Sequence, residues 1–189
     1  MMSLVLIVVS GLPASGKTTM ARWLSSELRL PLVCRDDVKE RLFDSLGWSD
    51  RAWSKRLGRA SWDLLYLFAE TQLAAGCSCI VESNFSSTGD TRRIADLLDR
   101  VRARSVEIHC HAEGEVLVER YVARVSSGER HPGHVDDVTI DEQRERLLAA
   151  TPSPLELGGR TLLVDTTDPA RINYDWLLAE VRSALAEES

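Results

Sequence analysis

The apolar run Leu4-Val5-Leu6-Ile7-Val8-Val9 leads through Ser10 into Gly11-Leu12-Pro13-Ala14-Ser15-Gly16-Lys17-Thr18, and a helical pattern follows at once. An unbroken run of mainly β-branched residues suits a strand covered on both faces. The loop after it has the spacing G-x-x-x-x-G-K-[ST] in its required context, strand before and helix after. Each part has a job with phosphate. The glycines let the backbone curl so that successive N–H groups point inward at anionic oxygens. The helix adds its positive N-terminal end. Lys17 brings a point charge to the β- and γ-phosphates, and Thr18 offers a hydroxyl to Mg²⁺. Gly11, Pro13, Ala14, Ser15, Gly16, Lys17, Thr18 and Thr19 are therefore expected to hold a nucleoside triphosphate, ATP, with Mg²⁺.

Short apolar segments alternate with longer helical ones along the rest of the chain, the mark of a parallel α/β sheet with helices on both faces. Strands are expected at about 4–9, 32–34, 79–82, 106–110 and 161–164. Helices are expected at about 16–28, from 36 or 37 to 45, 50–75, 91–103, 113–126, 139–150 and 173–187. In the longest, Asp50 is the expected N-cap and Gly76 the stop. Trp53, Leu57, Ala60, Leu64, Leu67 or Phe68, and Thr71 recur there at helical spacing as an expected core stripe. Residues 127–137 carry two glycines, a proline and many charges, and are expected to form a mobile lid. One domain over residues 1–189, with a lid at about 120–138, accounts for every segment.

The bulk properties bound the partners. With 23 basic and 29 acidic residues the net charge is −6, which opposes broad non-specific nucleic-acid binding. No apolar run approaches the roughly 20 residues that span a bilayer, and residues 1–9 lack the basic start of a signal peptide. Cys34, Cys77, Cys79 and Cys110 form no C-x-x-C pair and read as small buried thiols in a reducing cytoplasm. His109-Cys110-His111 alternates across a strand with no further ligand cluster nearby, which argues against a metal site.

Four features after the loop carry chemistry. Arg35-Asp36-Asp37 follows the second strand, where a carboxylate can face the phosphates and orient an acceptor hydroxyl. The same residues suit a helix N-cap, and two adjacent Asp allow both roles. Glu82 ends the third strand, where a carboxylate would hold Mg²⁺ or reach the acceptor, with Asn84 just beyond. Arg120 and Arg124 lie one helical turn apart, and Arg130 heads the Arg-His-Pro-Gly-His segment; such arginines stabilise a phosphoryl group in transfer when a lid closes. Asp165 to Pro169 reads either as a border to the purine base or as a plain turn. Arg51, Lys55 and Arg59, with Arg56 beside them, form a basic stripe that reads as a solvated helix face or as a hint of an anionic acceptor. Trp48, in the preceding loop, is the tryptophan best placed for a ligand.

Taken together, the loop, Arg35-Asp36-Asp37-Val38-Lys39, Val81-Glu82-Ser83-Asn84-Phe85 and the three arginines resemble small P-loop kinases. That broad group includes the kinase domain of phage polynucleotide kinase, zeta toxins, chloramphenicol phosphotransferase and gluconate kinase. The resemblance implies a three-layer P-loop nucleoside-triphosphate hydrolase fold: a five-stranded parallel sheet, helices on both faces, and a lid. It implies transfer of the γ-phosphate of ATP to a hydroxyl of a small molecule or nucleotide. Lys17, Asp36, Arg120, Arg124 and Arg130 would be catalytic; Arg35, Asp36, Lys39, Glu82 and Asn84 would meet the acceptor; Thr18 and Glu82 would hold Mg²⁺. Asp36 is the implied base, with Asp37 and Glu82 as alternatives. The chain departs from the polynucleotide-kinase pattern at Lys39, where that pattern has Arg, and at Glu82, where Asp is usual. A polynucleotide 5′-hydroxyl kinase and a regulatory ATPase switch are the alternative functions.

Overall fold

The computed structural model describes residues 4–128, 130–135 and 140–187. Five parallel strands form one sheet in the order β2-β3-β1-β4-β5. They are β1 (Val5–Gly11), β2 (Leu32–Cys34), β3 (Cys79–Glu82), β4 (Arg104–His111) and β5 (Arg160–Asp165). All seven residues of β1 are buried, as its apolar run requires. The helices are α1 (Lys17–Leu28), α2 (Arg35–Leu46), α3 (Arg51–Ala74), α4 (Asp90–Val101), α5 (Gly114–Ser127), α6 (Ile140–Leu148) and α7 (Tyr174–Ala186). Short 3₁₀ turns lie at Pro132–His134 and Pro169–Arg171. Of the expected lid, residues 129 and 136–138 fall outside the described residues, as does Thr139, the expected start of α6.

The alternation of side chains along each strand divides the core in two. Ile7, Val9, Ile108 and Val164 pack on α1 and α7 through Met20, Leu24, Leu177 and Val181. Leu6, Val8 and Val81 face the other way, onto Leu65, Ala69 and Leu73 of α3 and Ile94 and Leu97 of α4. The register aligns Cys34 with Glu82 and Glu82 with Val9, so the carboxyl ends of β2, β3 and β1 meet along one edge. That edge carries the ligand sites of open α/β sheets.

Helix α3 corrects one expectation. Asp50 caps it, its side chain accepting from Trp53 N–H at 2.8 Å, and Gly76 follows its end with φ 82°. The buried face, however, is Ser54, Leu57, Ser61, Leu65, Ala69 and Leu73. Leu64 and Leu67, assigned to the core by spacing, are 42% and 59% exposed. The helix carries two leucine stripes, and the one beside small residues wins. Ser54, Gly58 and Ser61 let α2 approach closely: Lys39 Nζ lies 3.0 Å from Ser54 Oγ, and a Cβ on Gly58 would stand 3.6 Å from Lys39 Cε. Cys34, Cys79 and Cys110 are buried as expected, but Cys77 is exposed.

The sheet also holds a buried polar cluster. His109 Nε2 lies 3.3 Å from Ser153 N–H, which can only donate, so Nδ1 carries the ring proton. Nδ1 lies 2.8 Å from Ser10 Oγ, whose own proton goes to Glu107 Oε1 at 2.6 Å. Glu107 Oε2 accepts from Leu155 N–H at 2.8 Å. This chain of bonds ties the segment after α6 to the strand that feeds the phosphate loop. Among the described residues no three His, Cys, Asp or Glu side chains cluster as metal ligands, and no helix is long and apolar enough to cross a membrane. Replacing Glu107 with Ala leaves two buried donors without an acceptor. Glu107→Ala is expected to destabilise the fold by about 2–4 kcal/mol, and Glu107→Gln, whose single carbonyl oxygen can accept from only one of the two donors, by a smaller but clear amount, measured by urea unfolding.

Candidate functional site

The turn from β1 into α1 forms a cradle of backbone N–H groups. Gly11 has φ 138°, and a Cβ there would stand 2.2 Å from the carbonyl oxygen of Cys110. Gly16 caps α1 in the left-handed region with φ 76°, and Ala14 is also left-handed with φ 66°. Left-handed residues within the loop turn its N–H groups to a common side, the geometry that binds anions. Thr166, after β5, holds the loop from above: its Oγ1 lies 2.9 Å from Ser15 O and 2.9 Å from His111 O. Ser15 Oγ is buried beneath the loop and has no hydrogen-bond partner among the described residues. Gly11, Leu12 and Ser15 line a cavity of about 150 Å³ on this underside.

Lys17 bends back over the loop, its Nζ 3.2 Å from Leu12 O and 3.9 Å from Glu82 Oε1. Burial pushes the Lys17 ammonium's pKa down against the opposing pull of Glu82 and Asp36, and Arg124 adds to the lowering. Glu82 is 3% exposed. Burial pushes its carboxyl up, opposed by Lys17 and by hydrogen bonds from Cys34 and Thr18. A buried carboxylate beside a threonine hydroxyl at the end of a strand is a hard oxygen pair, and these donors fit Mg²⁺.

Across a cleft of about 480 Å³ from Lys17 stands Asp36, in the first turn of α2. Its Oδ2 accepts from Arg130 Nη2 at 2.6 Å and its Oδ1 from Arg35 Nη2 at 3.0 Å. Burial would raise this carboxyl, but the two guanidiniums outweigh it and hold it well below the ordinary carboxylate range. Asp37, one residue on, pairs with Arg22 of α1 at 3.1 Å on an exposed face. The two adjacent carboxylates therefore differ: Asp36 meets Arg130 and Asp37 braces α1.

The arginines differ as well. Arg120 donates through Nη2 to Thr166 O at 2.8 Å and Thr167 O at 3.0 Å, which joins α5 to the loop after β5. Arg124 lies with its guanidinium 5.3 Å from the Tyr121 ring centroid. Arg130 stands on the segment after α5 that crosses to α2. There His131 stacks on Phe43 at 5.0 Å, and a Cβ on Gly133 would strike the Phe43 ring at 2.7 Å. Only glycine permits this approach.

Several expected residues stand away from the cleft or, like Arg35, reach it only through Asp36. Lys39 is buried between α2 and α3, its ammonium directed to Ser54. Arg35 lies with its guanidinium carbon 4.9 Å from the Trp62 ring centroid, and its Nε is buried without a hydrogen-bond partner among the described residues. Asn84 Oδ1 accepts from Ser83 Oγ at 3.3 Å. Arg51 of the basic stripe pairs with Glu142 of α6 at 2.8 Å, and Arg56 stacks on Trp53. Trp48 is 52% exposed with its ring edge toward His131. Glu40 joins the site without having been singled out, and His134 and Thr166 join it from segments marked only as a whole. Glu40 lies one helical turn after Asp36, a spacing that places it on the same face.

Comparison with known proteins places this arrangement. No curated protein matches the chain. A structure of a candidate kinase from Chloroflexus aurantiacus J-10-fl is 41% identical over 98% of this chain and 97% of that one, with a TM-score of 0.87. Chaetomium thermophilum Kti12, in complex with ADP-AlF3, is 21% identical over 96% and 100%, with a TM-score of 0.68. A sugar kinase from Janibacter sp. HTCC2649 is 19% identical over 98% and 99%, with a TM-score of 0.56. The last two share the fold. The AAA-domain family model AAA_33 matches residues 6–150, and the chain belongs to that family of P-loop, kinase-like domains.

Proposed function

We propose that this chain is a phosphotransferase that moves the γ-phosphoryl group of ATP to the hydroxyl of a small acceptor, within a single P-loop kinase domain. The observation that carries the reading is the pair across the cleft: Lys17 on the phosphate loop and Asp36 opposite, with Arg130 brought to Asp36 at 2.6 Å. A nucleotide switch has no need of a carboxylate held there. In the reaction the acceptor oxygen forms a bond to the γ-phosphorus, the bond to the β–γ bridging oxygen breaks, and ADP leaves. The acceptor proton passes to the Asp36 carboxylate and then to water.

Asp36 clamped by two guanidiniums is a poor proton acceptor. Phosphoryl transfer, however, passes through a loose transition state that asks little of a base until late. The main work of Asp36 is thus to orient the acceptor hydroxyl. Arg130 serves by shifting from Asp36 to the transferred phosphoryl oxygens, where charge spreads as the bonds change. Lys17 binds the β- and γ-oxygens, and its burial keeps that charge undiluted by water. Thr18 and Glu82 would hold Mg²⁺, which when bound neutralises charge on the phosphates. Arg120, committed to the loop after β5, forms the wall of the nucleotide pocket. Arg124, beside Lys17, adds positive charge near the phosphates.

The acceptor is read as a small molecule. Lys39, the basic residue of the Arg-Asp-Asp-x-basic pattern, turns into the α2–α3 interface, so it adds no charge for a polynucleotide backbone.

ADP release with ATP, Mg²⁺ and a panel of polyols, sugars, sugar acids, nucleosides and 5′-hydroxyl oligonucleotides tests this reading. At least one small hydroxylated compound is expected to stimulate release; stimulation by oligonucleotides alone, or by none of the panel, overturns it. With that acceptor, Lys17→Ala is expected to lower kcat by at least about 10²–10³-fold, the loss for one preorganised donor. Asp36→Asn is expected to lower kcat about 10²–10⁴-fold with the KM for ATP little changed. Equal losses in kcat and in ATP affinity would remove Asp36 from the acceptor side.

A further inference from the structure

Arg130 sits on the segment after α5, two residues before the 3₁₀ turn Pro132–His134. A long guanidinium side chain on such a segment has many rotamers and points nowhere in particular unless something fixes it. Asp36 fixes one side. A further contact is His134, four residues on, whose Nδ1 lies 3.1 Å from Arg130 Nη2. The remaining ring nitrogen, Nε2, lies 3.0 Å from Glu40 Oε1 on α2.

The chemistry of the three groups settles the proton positions. A guanidinium has donors and no acceptor, so the nitrogen facing Arg130 must offer a lone pair. Nδ1 is therefore unprotonated, Nε2 carries the proton, and that N–H meets a carboxylate oxygen that accepts it. The neutral Nε2–H tautomer satisfies both contacts at once. An imidazolium would turn an N–H against the guanidinium. The ring is fixed in place: its side chain is 4% exposed, and it stands edge-on to Phe43 at 5.4 Å and 85°.

We propose that His134 is the positioning residue for Arg130, a neutral imidazole that joins the lid arginine to Glu40 and so aims it at the cleft beside Asp36. The proposal rests on the phosphotransfer reading for the role of Arg130, and it adds a residue that the reading does not require. Glu40 and Asp36 occupy one face of α2, one turn apart. The lid arginine is thus referred to the same helix that presents the acceptor-side carboxylate. The charges around the ring agree with a neutral state. Burial, then Arg130, lowers the His134 pKa to about 3; Lys39 and Arg35 act the same way, Asp36 opposes them, and Glu40 takes the N–H.

Capture of the transition-state mimic ADP with aluminium fluoride and Mg²⁺, measured against ADP alone by calorimetry, separates aiming from nucleotide binding. His134→Leu is expected to weaken capture of the mimic by about tenfold to 10²-fold, the cost of a small misplacement, with ADP affinity unchanged. His134→Gln, whose amide can accept from Arg130 and donate to Glu40, is expected to stay within about threefold of wild type. Arg130→Ala should show the larger loss, and Arg130→Ala with His134→Leu no further loss, because the two act as one unit. If Arg130→Ala leaves capture and turnover unchanged, the catalytic reading of Arg130 fails and this proposal with it. If Arg130→Ala weakens capture but His134→Leu does not, the positioning role alone is overturned. Should His134→Leu fold poorly, Glu40→Leu removes the far end of the relay without altering the lid, and it should reproduce the loss; wild-type capture there would also overturn the proposal.

A second readout needs no nucleotide. The unfolded chain takes up a proton near pH 6.5 that the buried imidazole refuses until about pH 3. Stability from this group is therefore complete above pH 6.5 and is lost as pH falls toward 3. The decline in Tm between pH 7 and 4 should be steeper in wild type than in His134→Gln. Equal slopes would refute a neutral His134.

Discussion

The seating of the phosphate loop against the end of β4 is the constraint on which the rest of the molecule turns. Gly11 passes so near the Cys110 carbonyl that no side chain could be accommodated. That approach lets β1 enter the loop while still paired with β4, Gly11 opposite Cys110. The backbone N–H groups that would bind phosphate are thus set by sheet register rather than by loop flexibility. Thr166 closes the arrangement from β5, and Arg120 ties α5 to the same loop. Three strands and one helix converge on the five-residue turn 12–16, and helix α1 begins where that turn ends.

Electrostatics then divide the cleft. Lys17 and Glu82 are both buried and lie 3.9 Å apart, and each carries a pKa displaced by burial toward its neutral form. Neither is stable in charged form alone, so each depends on the other, and both are suited to a triphosphate and its cation. Asp36 is the opposite case. Two guanidiniums keep it ionised, and one of them, Arg130, belongs to the segment after α5. In the proposed reaction, the carboxylate of Asp36 is the place from which Arg130 would move to phosphate. The aromatic contacts of Phe43 with His131 and His134 hold this segment to α2.

Much of this was legible in the residues. The apolar run, the glycine spacing and the alternation of short and long segments are local signals with local causes, and each led to the observed element. Asp50 and Gly76 punctuate α3 where capping chemistry places them. The face of α3 was not legible, because Leu64 and Leu67 continue a good apolar stripe and nothing in their own segment says that Ser54, Gly58 and Ser61 will meet α2. Lys39 escaped for the same reason: its direction is set by a helix that begins twelve residues later. Ser10, Glu107 and His109 read as strand residues, yet they form one buried hydrogen-bond chain, since parallel pairing sets Ser10 beside His109 from 99 positions away.

The sequence by itself determined that a triphosphate cradle sits at the carboxyl edge of a parallel sheet, because strand burial, turn geometry and helix start are written in consecutive residues. It also marked Asp36, Glu82 and the three arginines as the charges to watch. Tertiary structure alone decided how those charges are used. It set Asp36 against Arg130 and Asp37 against Arg22, sent Lys39 into a helix interface, committed Arg120 to backbone carbonyls, and put His134 between Arg130 and Glu40. The physical reason is range. Local conformation depends on neighbours in sequence, whereas the partner of a charged side chain depends on which distant segments the packed core brings within about 3 Å of it.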